Sequence, residues 1–228
     1  MERHELKVVA RIRSDFKTKF GIPRQSGLVE ELTATVVFEP EFRDPEALRG
    51  IEGFSHLWLI WQCSENVRED WAPTVRPPRL GGNVRMGVFA THSPFRPNSI
   101  GLSCVTLLGV RKDPELGTVL DVGGADLMDG TPIYDVKPYA PYADAHPDAN
   151  PGFASTRPDV IPVEIPQELL EKIPAGKREA LRGVLAHDPR PRYQDDPERI
   201  YGMDFAGFNV KFRVDGGTMT VTAVEKSE

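Results

Sequence analysis

The chain has 228 residues, enough for one large domain or a medium and a small one, with a core that needs no covalent staples. Charged residues make up 27% and hydrophobic ones 39%, an ordinary globular balance, and no run approaches the roughly 20 apolar residues of a membrane span. The two cysteines, Cys63 and Cys104, form no CxxC pair, which argues against a disulfide scaffold or a cysteine zinc site, and the net charge of −6 taken alone argues against a nucleic-acid partner.

The opening stretch, MERHELKVVARIRS, alternates charged and apolar residues without the apolar region of a signal peptide, so a cytoplasmic location is expected. Leu6, Val8, Ala10 and Ile12 alternate with Lys7, Arg11 and Arg13, the period of a half-buried strand. Leu32, Ala34, Val36 and Phe38 repeat the pattern. In DPEALRG (44–50), Asp44 suits a helix N-cap, Pro45 the first helical position and Gly50 the stop. Residues 54–63 (FSHLWLIWQC) are apolar on both faces and predict a strand covered on both sides, or on one side by a partner chain. Within it His56 reads as a core histidine, and Trp58 and Trp61 as pointing to opposite faces. Further strands are predicted over 86–91, 102–108, 117–122 and 132–137. A Pro/Ala/Asp-rich stretch follows, then helical patterns over 166–173 and 176–186. A closing hairpin turns at Asp215-Gly216-Gly217, with Phe208, Val210, Phe212 and Val214 on one face. Many short strands with one brief helix suggest a barrel or sandwich. The expected division is a mainly β domain over 1–145, a linker over 146–160 and a small α+β domain over 161–228.

The net charge hides an asymmetry. Residues 1–112 hold 16 Lys and Arg against 13 Asp and Glu, whereas residues 113–228 hold 12 against 21. Five arginines, Arg68, Arg76, Arg79, Arg85 and Arg96, fall within 68–96. A local basic face of this kind binds phosphates despite an acidic total. The segment VLDVGGA (119–125) imitates the glycine-rich turn of a dinucleotide-type fold, but Leu127 takes the third glycine's place and a turn follows instead of a helix. His4, His146 and His187 have no ligand spacing, so no metal is expected. Cys104, between apolar neighbours, reads as core rather than nucleophile.

Three polar segments pinned by proline and opened by glycine carry the chemistry: 21–27, 76–101 and 126–139. FSHLWLIW (54–61), RPPRLGGNVRMGVFATHSPFRPNSIGLS (76–103) and DLMDGTPIYDVKPYAPYAD (126–144) resemble the TsaA/TrmO family, as do DPRPRY (188–193) and DFAGFNVKFRV (204–214) near the end. The resemblance implies a β-barrel catalytic domain followed by a small α+β domain. It also implies S-adenosylmethionine-dependent N6-methylation of N6-threonylcarbamoyladenosine at position 37, in the tRNA anticodon loop, by a homodimer. A small-molecule methyltransferase and a non-catalytic RNA-binding barrel are the rival readings.

Carried over residue by residue, the resemblance implies cofactor contacts at Arg24, Gln25 and Ser26, at Cys63 and Ser64, at His92 and Leu102, and over Ala125, Asp126, Leu127 and Met128. His92 stands where the family usually has arginine, and Ser99 where it usually has proline. The acceptor nitrogen is urea-like and must lose its proton, so a base is required. Asp126 and Asp129, at one turn, are the candidates, Asp126 being preferred; a plain Asp129-Gly130 turn and an Asp135–Lys137 pair are the structural readings of the neighbouring acids. Arg76, Arg79, Arg85, Phe95, Arg96 and Lys137 are the substrate-binding candidates. Phe95 and Arg96, between two prolines, suit a prong that stacks a base and grips phosphate, and Lys137 or Arg96 suits the threonyl carboxylate.

Overall fold

The structure, a computed structural model, describes residues 2, 4–66, 70–191 and 196–227. Arg68 and the Arg192-Tyr193 end of the DPRPRY segment lie outside the described residues. The chain divides into two compact units, one of residues 1–13, 35–122 and 130–147, the other of 14–34, 123–129 and 148–228. The units therefore interleave along the chain.

In the first unit the strands β1 (Ala10–Arg13), β2 (Thr33–Phe38), β3 (His56–Gln62), β6 (Ile100–Asp113), β7 (Gly117–Gly123) and β8 (Pro132–Pro138) close into a barrel in the order β1-β2-β7-β6-β3-β8. Closure abolishes sheet edges, and alternation decides what fills the interior. Ala10, Ile12, Leu57, Leu59, Val105 and Ile133 are buried, while their strand neighbours Arg11 and Arg13 are exposed. The first strand is shorter than predicted: it begins at Ala10, and Leu6 is exposed. A two-stranded arm joins β4 (Thr74–Val75) to β5 (Met86–Gly87). The predicted strand over 86–91 stops there, because Val88–Ala90 coils into a 3₁₀ turn. Asp44 caps its helix as expected, its carboxylate accepting from Glu46 N at 2.9 Å, though the helix is a 3₁₀ turn over Pro45–Leu48. A short helix, α1 (Pro141–Asp144), follows β8.

The expectation for His56 is corrected. It opens β3 and is exposed, its Nδ1 lying 2.9 Å from Ser55 Oγ, because period-2 alternation sends Leu57 and Leu59 inward and the residues between them outward. Trp61 lies against Gly101 and donates its indole N–H to Ser103 Oγ at 2.9 Å, while Trp58 donates to Asp144 Oδ2 at 3.0 Å.

The second unit holds β9 (Val163–Glu164), α2 (Gln167–Leu170), α3 (Arg178–Ala186), β10 (Tyr201–Phe205), β11 (Phe208–Asp215) and β12 (Thr218–Lys226), with the sheet order β10-β11-β12-β9. The hairpin turn lies at Gly216-Gly217, both with positive φ, the backbone that a two-residue turn between twisted strands requires. Phe16, Val29 and Leu32 join Leu181, Leu185, Met203, Phe205 and Phe212 in its core. Residues 14–34 are thus anchored here by apolar burial, and Lys177 Nζ reinforces them by donating to Asp15 Oδ2 at 2.6 Å and Thr33 Oγ1 at 2.9 Å.

Candidate functional site

Within the second unit the 21–27 loop and the 124–130 turn are tied together. Gly27 N donates to Gly124 O at 2.9 Å, and Gly124 N to Leu32 O at 2.8 Å. The approach demands glycine: Gly124 has φ +71, and a Cβ there would lie 3.2 Å from Gly27 N. Arg157 Nη2 donates to Leu28 O at 3.2 Å, and His187 Nε2 sits 3.1 Å from the same carbonyl. The loop carrying Arg24, Gln25 and Ser26 is therefore held against the turn carrying Ala125 to Met128. Arg24 and Gln25 are exposed, Ser26, Asp126 and Met128 half-buried, and Ala125 and Leu127 buried. Asp129 is engaged at both oxygens: Ser14 N donates to Oδ1 at 3.0 Å and Lys17 Nζ to Oδ2 at 2.5 Å. Ser14 Oγ donates to Leu127 O at 2.8 Å, which ties the same turn down from its other end.

Within the first unit Cys63 and the 93–100 loop meet through Cys63 N, which donates to Ser99 O at 2.8 Å. Leu102 lies opposite Ile60 across the β3–β6 ladder and is exposed, as are Ser64 and His92. The segment around His92 is pinned from within: Thr91 Oγ1 donates to Val88 O at 2.9 Å, Ser93 N to Thr91 Oγ1 at 3.2 Å, and Arg96 Nη1 to Thr91 O at 2.9 Å. Arg96 thus spends one guanidinium nitrogen on its own loop. Arg76 and Arg85 are exposed, Arg79 and Arg96 half-buried, and Phe95 is exposed at the loop tip. Lys137 pairs with Asp135 at 3.2 Å on the exposed end of β8.

Local electrostatics distinguish structural groups from reactive ones. Backbone donation from Ala140 and the Trp58 indole hold the Asp144 carboxyl below the ordinary carboxylate range. The Arg111 guanidinium, bonded to Asp121 Oδ2 at 2.9 Å, lowers Asp121, with Thr35 Oγ1 adding a bond at 2.9 Å. Burial pushes the Cys104 thiol up, with the Asp144 charge adding to it. Among the described residues no group of three or more His, Cys, Asp or Glu is arranged to hold a metal, and no helix is long and apolar enough to cross a membrane. Sequence reasoning gave no weight to Trp71 and Phe89, which are exposed with ring centroids 6.0 Å apart. The signal that points to them is the absence of any Asp or Glu from Trp71 to Lys112.

Residues 11–145 match the tRNA-methyltransferase O N-terminal domain, and residues 159–227 the TrmO C-terminal domain. The chain is 41% identical over 236 aligned positions to the tRNA (adenine(37)-N6)-methyltransferase of Escherichia coli K12, covering 99% of each chain. It is 46% identical to the enzyme of that name from Eikenella corrodens, covering 75% of this chain and 97% of the relative. The crystal structure of TrmO from Pseudomonas aeruginosa superposes with a TM-score of 0.80 at 33% identity, covering 98% of both chains.

Proposed function

The chain belongs to the TrmO family of tRNA methyltransferases, and from that premise we propose that it methylates N6 of N6-threonylcarbamoyladenosine at position 37 of tRNA, with S-adenosylmethionine as donor. The observation that carries the reading is the match of both family domains, in order, together with 41% identity over 99% of the chain to a relative named as a tRNA (adenine(37)-N6)-methyltransferase.

The residues present fit the donor. Its carboxylate and hydroxyls call for a cation and an amide, which exposed Arg24 and Gln25 offer. Its adenine calls for apolar walls and backbone polar groups, which the tied-down turn at Ala125–Met128 offers. Cys63, Ser64, His92 and Leu102 complete the proposed set. At His92 an imidazole stands where the resemblance implies a guanidinium, so the bidentate fork is absent from the proposed set there.

When bound, S-adenosylmethionine would supply a methyl group from its sulfonium S–C bond to N6, leaving as a neutral thioether. The protein's task is to orient N6 in line with that bond and to take its proton. Asp126 is the proposed base. Asp129 carries two donors at its oxygens, which suits it to holding the turn. An apolar surround would favour a step in which the methyl donor's positive charge is neutralised, and Ala125 and Leu127 on either side of Asp126 are buried. Arg76, Arg79, Arg85, Phe95 and Arg96 are proposed to meet the anticodon loop, and Lys137 the threonyl carboxylate, exchanging its Asp135 partner for it. The same reading includes a cytoplasmic homodimer, for which exposed Phe54 and Leu108 supply apolar contact surface.

The test is incubation with methyl-labelled S-adenosylmethionine and bulk tRNA, with and without the threonylcarbamoyl group, followed by digestion to nucleosides. Label is expected on the modified adenosine alone. Label on unmodified tRNA equally, or donor binding without transfer to either tRNA, would refute the assigned acceptor.

A further inference from the structure

Trp71 and Phe89 stand at the base of the arm formed by β4 and β5. The ladder pairs Thr74 with Gly87 and Val75 with Met86, and Val88 N donates to Pro73 O at 3.0 Å. That register carries the two flanking aromatics to one end of the arm, where their centroids lie 6.0 Å apart with planes inclined at 34°. Both rings are largely in water, Trp71 at 51% and Phe89 at 71% exposure. Pairing leaves most of their surface uncovered, and a paired, solvent-facing Trp and Phe is unusual for a residue class that dominates cores and interfaces.

The surroundings indicate the chemistry of what covers them. The arm between its two strands carries Arg76, Arg79 and Arg85 and no acid, and the acid-free run extends from Trp71 to Lys112. Arg96 adds a cation over the Phe89 ring, with Cζ 5.8 Å from the centroid, held there by its bond to Thr91 O. Flat rings beside the Arg96 guanidinium, on an arm that carries arginines and no carboxylate beyond Asp70 at its foot, complement a chain of phosphates bearing unpaired bases. A protein partner would ordinarily be met by charges of both signs at the rim.

We infer that Trp71 and Phe89 form a stacking platform for unpaired bases of the RNA substrate, with the arm's arginines on the adjoining phosphates. The inference rests on the tRNA reading above and extends it to two residues that it did not use. Stacking is tolerant of base identity, so the platform contributes to grip and orientation rather than to sequence choice.

The experiment measures binding of an anticodon stem-loop RNA to the full chain and to W71A, F89A, W71F and F89Y, with donor binding and sedimentation measured on each. Loss of a stacked base weakens RNA binding by about 5- to 150-fold. Each alanine variant is expected to lose affinity in that range, W71F and F89Y to recover most of it, and donor binding to stay constant. RNA is also expected to quench tryptophan emission in the unchanged protein and to quench it much less in W71F. Unaltered RNA affinity in both alanine variants overturns the platform. Conversion of a dimer to monomers by either alanine variant overturns it too, because the pair would then be a contact between copies. If the unchanged protein methylates modified tRNA while the variants bind RNA normally, only the platform fails. If the unchanged protein neither binds nor methylates tRNA, the functional reading fails with it.

Discussion

Asp126 and Asp129 lie three positions apart on one turn, and the fold engages Asp129 at both carboxylate oxygens. Asp129 accepts from Ser14 N and from Lys17 Nζ, a second link from Ser14 alongside its bond to Leu127 O. Substituting Asp126→Asn is expected to lower kcat by about 10²- to 10⁴-fold, the usual worth of a general base. Asp129→Asn is expected to lower the unfolding midpoint and to leave far more of the turnover. Equal kcat losses in the two variants, with donor binding and stability intact, would refute the assignment. The candidate acids were legible because turn residues between motifs are few. The anchoring of Asp129 was not, because Ser14 and Lys17 are remote in sequence and only folding brings them to the turn. His56 teaches the same at a strand: an apolar neighbourhood in sequence says nothing of which face a residue takes until the strand's register is known.

At the scale of elements, Gly183 sits within the helix α3, where glycine ordinarily weakens a helix by about 1 kcal/mol relative to alanine. Here the helix packs so closely on the 21–34 segment that a Cβ would lie 2.6 Å from Val29 Cγ1, and Val29 is itself buried. Overpacking of that kind costs about 1–3 kcal/mol, so Gly183→Ala is expected to destabilise despite the better propensity. Denaturant titration checks the sign, and pairing the change with Val29→Ala should relieve the clash and recover part of the loss. Elements set by local chemistry were readable: the Asp44 cap with Pro45 behind it, and the Gly216-Gly217 turn between alternating strands. The strand β10 passed unnoticed because YGMDF is short and holds glycine and aspartate, and its place comes from pairing with β11 along Tyr201–Phe205.

Across the whole molecule, charge is unevenly shared, 16 basic against 13 acidic residues up to position 112 and 12 against 21 beyond it. Phosphate binding by the basic segment releases counterions, so the apparent affinity for tRNA is expected to fall steeply with salt, with a slope of about −0.7 per phosphate contact for unpaired RNA. Replacing Arg76, Arg79 and Arg85 together by alanine should flatten that slope by roughly 2 while donor binding is unaffected; an unchanged slope would remove those arginines from the RNA contact. What the sequence by itself determined was the mainly β character, the local caps and turns, and the family, because long ordered motifs and short-range hydrogen bonds are written in consecutive residues. Only the tertiary structure decided the barrel's strand order, in which β8 pairs with both β1 and β3, and the transfer of residues 14–34 and 123–129 to the second unit. It alone decided that Trp71 and Phe89 meet in the open. These depend on which distant surfaces bury one another and which backbone groups pair, a choice made by the global balance of burial against chain entropy and not by any single stretch of the chain.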